Sequence, residues 1–220
     1  MTTLSEQIVE SFAASVHAAN VNEAPYPHWF LDQCVPAQVI DDVRALPFDA
    51  PSLDGVSGKR ELHNATRTYF DAANREAHPV VDAMADAFQC RATTDLIEET
   101  FKTNLDDSLL RIEYAQDING FWLEPHTDLG VKVFTMLLYV SKDPSHENLG
   151  TDIYDSTKQH IGRSPFAAGS AMVFVPSDIT YHGFEERKIE GVRQSIIINY
   201  VTQDWRAREQ LAFPEQPIGS

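Results

Sequence analysis

The sequence contains few cysteines and few basic residues. Only two of its 220 residues are cysteine, Cys34 and Cys90, and they lie too far apart for a Cys-x-x-Cys motif. This argues against a disulfide framework or a thiolate zinc site, and it favours a reducing compartment. Lysine and arginine total 17 against 33 aspartates and glutamates, which gives a formal net charge of −16. Because no basic stripe interrupts this acidic surface, nucleic acid is not an expected partner.

Long hydrophobic runs are also lacking. No apolar stretch approaches the roughly 20 residues that a bilayer-spanning helix needs, and residues 1–20 do not combine a basic region with an uninterrupted apolar stretch. We therefore expect no membrane association and a cytoplasmic location. Hydrophobic residues nevertheless make up 43% of the chain and aromatic residues 10%, which is enough to build a folded core. The length predicts a single domain, residues 1–220.

Hydrophobic periodicity divides the chain into two parts. In residues 1–105, helical spacing of apolar residues predicts helices over 4–18, 36–45, 78–88 and 93–101, with short strands at 29–31 and 67–70. In residues 106–202, the apolar runs become short or alternate with a period of two, at 109–115, 131–140, 151–155, 171–176 and 195–201. No helical pattern long enough for a βαβ crossover separates these runs, so they predict an antiparallel sandwich or barrel. Residues 203–220 are expected to form a C-terminal tail.

The β half contains a candidate metal-binding motif. His126 and Asp128 lie two residues apart in PHTD, and His182 follows the run AMVFVP. Side chains at positions i and i+2 of an extended segment point to the same side, so both can reach one ion, and a neighbouring strand can supply the third ligand. Two imidazoles and one carboxylate hold Fe(II) in a facial triad. In a chain with 8 histidines and 33 acidic residues, a His-x-Asp pair alone is equally compatible with a surface turn.

A cationic residue follows the distal histidine. Arg193 lies 11 residues after His182, and Ser195 begins the apolar run SIIINYV, which predicts a buried strand. A buried arginine requires an anion, and a carboxylate fits its planar fork. The alternative is an exposed arginine at the start of the strand, paired with a neighbour such as Glu190. Combined with the metal motif, Arg193 predicts a site for a diacid that chelates a metal at one end.

In this order, His126, Asp128, His182, Arg193 and Ser195 resemble the iron(II)/2-oxoglutarate-dependent dioxygenases, especially their prolyl 4-hydroxylase-like branch. The resemblance covers about the C-terminal half, including FWLEPHTD, FTMLLYVS and SAMVFVPSDITYHGF. It implies an α+β protein with a mainly β core, a double-stranded β-helix (jelly-roll) flanked by N-terminal helices. It also implies that Fe(II), 2-oxoglutarate and O2 are used to hydroxylate a primary substrate, with release of succinate and CO2. That substrate could be a free amino acid, a peptidyl side chain, a sugar or another small metabolite.

The resemblance assigns roles to the residues of this pattern. His126, Asp128 and His182 would hold the metal and form the catalytic centre. Arg193 and Ser195 would bind the distal carboxylate of 2-oxoglutarate. Substrate specificity is expected to come from loops at the mouth of the barrel, with residues 60–70 and 141–166 as the candidates.

Two tyrosines also match positions of this family. Tyr114 is expected to contact the oxoacid, because it shares one face of its strand with apolar residues and can point inward with them. Tyr139 is expected to support the distal carboxylate beside the arginine. Weaker candidates, for contacts with the primary substrate, are Trp122, Arg67 and Tyr69.

Two other functions use part of the same pattern. A cupin-like isomerase or hydrolase with zinc or manganese would need the three metal ligands but would give Arg193 no oxoacid to bind. A non-catalytic β-sandwich that binds a small acid would consume no oxygen. The pattern makes no prediction of an oligomeric state.

Overall fold

The computed structural model describes residues 2–53, 58, 67–128 and 130–220. The helices in this part of the chain are α1 (Leu4–Ala18), α2 (Ala37–Arg44), α3 (Ala72–Ala77), α4 (Pro79–Gln89) and α5 (Arg91–Phe101). The strands are β1 (Val21–Asn22), β2 (His28–Leu31), β3 (Thr68–Tyr69), β4 (Leu109–Asp117), β5 (Leu123–His126), β6 (Lys132–Tyr139), β7 (Asp152–Tyr154), β8 (His160–Arg163), β9 (Ala171–Phe174), β10 (His182–Phe184) and β11 (Arg193–Val201). Short 3-10 turns lie at Pro144–His146 and Arg208–Gln210.

The strands form two antiparallel sheets. Within the described ranges, the large sheet has seven strands in the order β1-β2-β9-β6-β11-β4-β3, and the small sheet has four in the order β5-β10-β7-β8. The predicted core of antiparallel strands with a few flanking helices is therefore confirmed. Strand β11 lies near the middle of the large sheet, where it pairs with β4 on one side and with β6 on the other.

Local signals explain where several helices begin. Thr3 caps α1 through a capping box with Glu6, and Pro79 occupies the first turn of α4, where its missing N–H costs nothing. The helices predicted at 4–18, 36–45, 78–88 and 93–101 correspond to α1, α2, α4 and α5. Helix α3 was not predicted because its six residues bury no side chain and so carry no apolar stripe. In the described part of the chain, no helix is both long and apolar enough to cross a bilayer.

The two faces of the large sheet have different neighbours. On β6, Phe134, Met136 and Leu138 belong to a core shared with the helices, whereas Leu137 and Tyr139 belong to a second core with residues of the small sheet. Successive residues of a strand point to opposite faces, so every long strand divides its side chains in this way. The second face, which is turned toward the small sheet, is the one that carries the polar residues described below.

The short strands of the small sheet were the least predictable elements. Strands β5, β8 and β10 have three or four residues each and show no extended hydrophobic alternation. Strand β7 matches the predicted run 151–155, whereas β8 lies in the part of the 141–166 segment for which only a loop was expected. The predicted C-terminal tail packs against the start of β4, where the Ala212 N–H donates to the carbonyl of Leu110 and the Ile218 N–H to that of Ser108.

Gly150, which precedes β7, is predicted to tolerate no side chain. A Cβ at this position would overlap the backbone carbonyl of Ser164, which cannot move easily because the Ser164 N–H donates to Thr151. Gly150→Ala should therefore lower the free energy of unfolding by about 1–3 kcal/mol, measured by chemical denaturation. Gly162→Ala is the matched control, because nothing lies within 4 Å of a Cβ there. Equal stability of the two variants would contradict the prediction.

Candidate active site

His126 and His182 face each other across two strands. They are direct partners in the antiparallel pairing of β5 with β10. Their imidazole rings lie with centroids 4.4 Å apart at an interplanar angle of 53°. Directly opposed residues of an antiparallel pair project to the same face, so this register alone brings the two rings together.

Both imidazoles are oriented in the same way. Nδ1 of His126 lies 2.9 Å from the carbonyl oxygen of Glu124, and Nδ1 of His182 lies 3.0 Å from that of Thr180. A carbonyl oxygen only accepts hydrogen bonds, so each Nδ1 must carry the proton. Nε2 of each ring is then the atom that would bind a metal.

The carboxylate of Asp128 completes the group. One ligand atom from each of His126, Asp128 and His182 lies within 4.8 Å of the other two. The Asp128 side chain is 1% exposed, and it accepts hydrogen bonds from Lys132 Nζ at 2.8 Å and from Thr135 Oγ1 at 2.6 Å. The chain thus brings together the three predicted ligands in a geometry that one divalent ion could bridge.

A second group of possible ligands lies at Asp152, His160 and Glu185. The buried Asp152 carboxylate accepts hydrogen bonds from Arg163 Nε and Arg187 Nη1, both at 2.7 Å, and from the Glu185 N–H at 2.6 Å. Burial would raise the pKa of Asp152, but these donors outweigh that effect and lower it. Two guanidinium groups on one carboxylate repel a further cation, so this group is a structural ion-pair cluster rather than a metal site.

The three predicted ligands line a cavity between the two sheets. Its polar wall comes largely from the second face of β4, β6 and β11. The described residues that contribute polar side chains to it, besides the three ligands, are Arg67, Glu113, Asp117, Lys132, Thr135, Tyr139, Thr151, Arg193 and Ser195.

Arg193 is buried in this cavity and forms an ion pair. It is 6% exposed, its Nη1 donates to Asp117 Oδ2 at 2.6 Å, and its Nε donates to the carbonyl of Leu149 at 2.7 Å. Glu190, the alternative partner considered from the sequence, instead accepts from Lys188 at 2.5 Å. The interpretation of Arg193 as an exposed residue at the strand start is therefore wrong.

Tyr139 and Ser195 lie beside Arg193. They are direct partners in the pairing of β6 with β11, and both line the cavity. The Tyr139 hydroxyl donates to Thr151 Oγ1 at 2.8 Å and lies 2.5 Å from Ser164 Oγ. The cavity thus has a cluster of hydroxyl groups next to its guanidinium, which is suitable for binding an anion.

The placement of Tyr114 contradicts the prediction that it contacts the oxoacid. It lies on the helix-facing side of β4, packed near Phe48, and its hydroxyl accepts a hydrogen bond from Gln194 Nε2 at 2.7 Å. The apolar face of β4 was expected to point into the site, but the helices cover that face. The cavity receives the alternate residues Glu113 and Asp117 instead.

The three candidate substrate contacts are placed differently. Arg67 lines the cavity, whereas Tyr69 lies outside it with its ring under the guanidinium of Arg111 at 4.7 Å. Trp122 is 37% exposed and lines a separate outer groove with Glu124. Gly58, with a positive φ of 84°, closes over this tryptophan, and a Cβ there would overlap its ring.

Several polar residues of the site were not identified from the sequence. Glu113 and Asp117 lie on strand β4 and line the cavity, and Lys132 and Thr135 contact Asp128. The signal was present in LLRIEYAQD, where charged residues alternate with apolar ones at positions 111, 113 and 117. This pattern indicates a strand with one charged face and one apolar face, although it does not show which of the two faces lines the site.

Solved structures with the same architecture include prolyl 4-hydroxylases. A prolyl-4-hydroxylase from Pseudomonas putida aligns with 89% of this chain and 99% of its own, with a TM-score of 0.58 and 13% identity. A prolyl 4-hydroxylase from Phytophthora capsici aligns with 92% of this chain and 66% of its own, with a TM-score of 0.61 and 13% identity. The chain shares their fold.

HygX from Streptomyces hygroscopicus, whose structure holds nickel and 2-oxoglutarate, has the same fold. It aligns with 81% of this chain and 84% of its own, with a TM-score of 0.52 and 14% identity. No family model matches the chain, and no curated protein matches its sequence. The resemblance to the 2-oxoglutarate oxygenases is thus confirmed at the level of the fold.

Proposed function

We propose that this protein is an Fe(II)- and 2-oxoglutarate-dependent oxygenase that hydroxylates a small molecule of amino-acid or sugar type. One observation carries the proposal: the triad of His126, Asp128 and His182 and the buried Arg193 line the same cavity. The proposal includes a double-stranded β-helix over residues 106–202 within a single domain. A reducing, cytoplasmic location fits it, because Cys34 and Cys90 are both unpaired.

The donor set fits a ferrous ion. Two neutral imidazoles and one carboxylate leave coordination positions open, as oxygenases of this type require. The carbonyls of Glu124 and Thr180 hold the two rings, while Thr135 and Lys132 hold the carboxylate, so the ligands are preorganised. When bound, ferrous iron supplies the electron transfer that couples O2 reduction to oxidation of the oxoacid and the substrate.

Arg193, Ser195 and Tyr139 are proposed to bind the distal carboxylate of 2-oxoglutarate. Nη1 of Arg193 donates to Asp117 and Nε donates to the carbonyl of Leu149, and these two bonds fix the guanidinium group. A guanidinium has five N–H donors, so Arg193 can still donate to a bound carboxylate. The aromatic ring of Phe184 lies 4.7 Å from the guanidinium carbon and limits the access of water. An anion bound there would be held by charge-assisted hydrogen bonds in a site shielded from bulk water.

Formation of succinate from 2-oxoglutarate tests this proposal. Purified protein with Fe(II), 2-oxoglutarate and a panel of amino acids and sugars should form succinate, and one product should gain the mass of one oxygen atom. Anaerobic addition of Fe(II) and 2-oxoglutarate should also produce a weak visible charge-transfer band. The absence of both succinate and the charge-transfer band would refute the oxygenase. Turnover supported by zinc alone would instead favour the isomerase or hydrolase.

Arg193→Ala is predicted to raise the 2-oxoglutarate concentration needed for half-maximal succinate formation. Loss of a charge-assisted contact corresponds to about a 10- to 100-fold increase. Arg193→Lys should give a smaller increase, because it keeps the charge but loses the planar fork. Arg91→Ala is the control, since its side chain is 85% exposed on α5. An unchanged concentration requirement in Arg193→Ala would remove this residue from the co-substrate site.

A further inference from the structure

A series of hydrogen bonds connects the candidate metal ligand Asp128 to the interior of the large sheet. Asp128 accepts from Thr135 Oγ1 at 2.6 Å, and Thr135 Oγ1 accepts from Asn199 Nδ2 at 3.0 Å. Asn199 Oδ1 accepts in turn from Arg111 Nη1 at 3.3 Å. Thr135, Asn199 and Arg111 are each 1% exposed or less, so bulk water does not compete for these bonds. We call these four residues the buried network.

The strand register brings the buried network together. Asn199 lies on β11, directly opposite Thr135 of β6 on one side and Arg111 of β4 on the other. Directly opposed residues of antiparallel strands project to the same face, so these three side chains form one row across the sheet. Thr135 and Asp128 belong to the described cavity lining, whereas Asn199 and Arg111 do not. The contact of Asn199 with the site therefore runs through Thr135.

Arg111 determines which way the amide of Asn199 points. A guanidinium donates and never accepts, so the amide oxygen of Asn199 must face Arg111. The amide nitrogen then faces Thr135 and donates to its hydroxyl oxygen. Arg111 itself is held against the rings of Tyr69 and Trp205, whose centroids lie 4.7 and 4.8 Å from its guanidinium carbon. The orientation of the amide is thus set by a cation with a fixed position.

The Thr135 hydroxyl has a single proton, and Asn199 determines where that proton points. Because the hydroxyl oxygen accepts from Asn199, its O–H is directed to the carboxylate of Asp128, which accepts. Lys132 donates to the other oxygen of the same carboxylate. Without the amide donor, the hydroxyl can rotate to another acceptor, and Asp128 then loses a fixed hydrogen bond. Groups that orient a metal ligand in this way influence metal affinity although they do not touch the metal.

We infer that Asn199 is a positioning residue of the metal site, which acts on Asp128 through the hydroxyl of Thr135. This inference rests on the proposed function, because it takes Asp128 as a ligand of ferrous iron. It also gives a role to the one amide in the run SIIINYV of β11, where burying a polar group costs free energy unless that group is hydrogen-bonded.

A double-mutant cycle of Fe(II) affinity tests the inference without relying on turnover. Anaerobic calorimetry with Fe(II) measures the affinity of the wild type, Asn199→Leu, Thr135→Val and the double variant. Leucine has a branched shape similar to that of asparagine but donates nothing, so Asn199→Leu should bind Fe(II) about 3- to 10-fold more weakly. In the Thr135→Val background the same substitution should change the affinity by less than about 2-fold, since the hydroxyl on which it acts is gone. An equal loss in both backgrounds would overturn the inference.

Asn199→Asp decides the question if Asn199→Leu does not fold. It keeps an acceptor for Arg111 but turns a second accepting oxygen toward Thr135, so the hydroxyl can donate to the new carboxylate instead of to Asp128. The added negative charge acts on the metal in both backgrounds, so the two changes in affinity are compared. With Thr135 present, the change should be about 3- to 10-fold less favourable to Fe(II) than in the Thr135→Val background. The same change in both backgrounds would refute the positioning role.

Chemical denaturation separates a positioning role from a purely structural one. Asn199→Leu should lower the free energy of unfolding, because a buried polar network loses one of its members. A purely structural Asn199 would lower that free energy and leave Fe(II) affinity unchanged, which would contradict the inference. Asn22→Leu, on the exposed edge strand β1 of the same sheet, is the control and should bind Fe(II) as the wild type does.

The inference and the proposed function can fail separately. Succinate formation and the charge-transfer band, with an Fe(II) affinity that does not depend on Asn199, would retain the oxygenase and refute the positioning role. An Fe(II) affinity that depends on Asn199 through Thr135, without the band or succinate, would retain the positioning role and refute the oxygenase.

Discussion

Replacing Asp128 with alanine is expected to abolish Fe(II) binding at micromolar metal and to reduce succinate formation to background. The carboxylate is the anionic member of the ligand group, and it neutralises part of the charge of a divalent ion. Without it, two neutral imidazoles remain, next to the ammonium of Lys132. Anaerobic calorimetry with Fe(II) and an assay for succinate measure the two effects.

Two further variants show whether the loss of Fe(II) binding and of succinate formation results from removing a metal ligand. Thr135→Val removes only the hydroxyl that donates to Asp128, so metal affinity should fall by about 10- to 100-fold rather than disappear. Asp95→Ala, an exposed aspartate of α5, should bind metal as the wild type does. Thermal unfolding of each variant verifies that it folds. Near-normal metal affinity and turnover in a folded Asp128→Ala variant would remove Asp128 from the ligand group.

The larger elements of the fold are predictable because their hydrophobic period is regular. Helix α1 has its apolar stripe and a capping signal within the same few residues, and β11 is an apolar run too short for a buried helix. Strands β5, β8 and β10 lack such a signal, since three or four residues cannot establish a period. Their positions depend on pairing with partners distant in sequence, which a single segment does not reveal.

The convergence of the candidate metal ligands was predictable, whereas the orientation of β4 was not. His126 and Asp128 lie on one short segment, and the ordered pattern with His182 points to a shared ion. For β4, the sequence shows two faces, one apolar and one charged, but not which of them meets the helices. The assumption that the apolar face lines the site placed Tyr114 wrongly.

The buried ion pairs of Asp117 with Arg67 and Arg193 could not be predicted because they connect distant segments. Arg67 and Asp117 lie 50 positions apart, and Asp117 and Arg193 lie 76 apart. Alone, each of these residues is most simply interpreted as a solvated surface charge. Only the register of β4 with β11, which places Asp117 opposite Arg193, brings the charges together in the interior.

Asp117→Asn is expected to destabilise the protein strongly. The Asp117 side chain is 2% exposed and its two oxygens bind different guanidinium groups, those of Arg67 and Arg193. An amide of the same shape keeps the packing but turns an N–H donor toward one of these cations. Breaking a buried ion pair costs about 3–5 kcal/mol. For a chain of this size the Tm should fall by roughly 6–20 °C, which calorimetry measures directly.

A surface pair and a double variant separate electrostatic loss from any general effect of the substitution. Asp41→Asn makes the same chemical change in an ion pair with Lys142 whose side chains are 51% and 38% exposed, so its cost should stay below about 1 kcal/mol. Adding Arg67→Met to Asp117→Asn removes one of the two guanidinium groups left without the shared carboxylate. The double variant should therefore lose less stability than the two single losses combined. Strict additivity would mean that Asp117 and Arg67 stabilise the fold independently, with no electrostatic coupling between them.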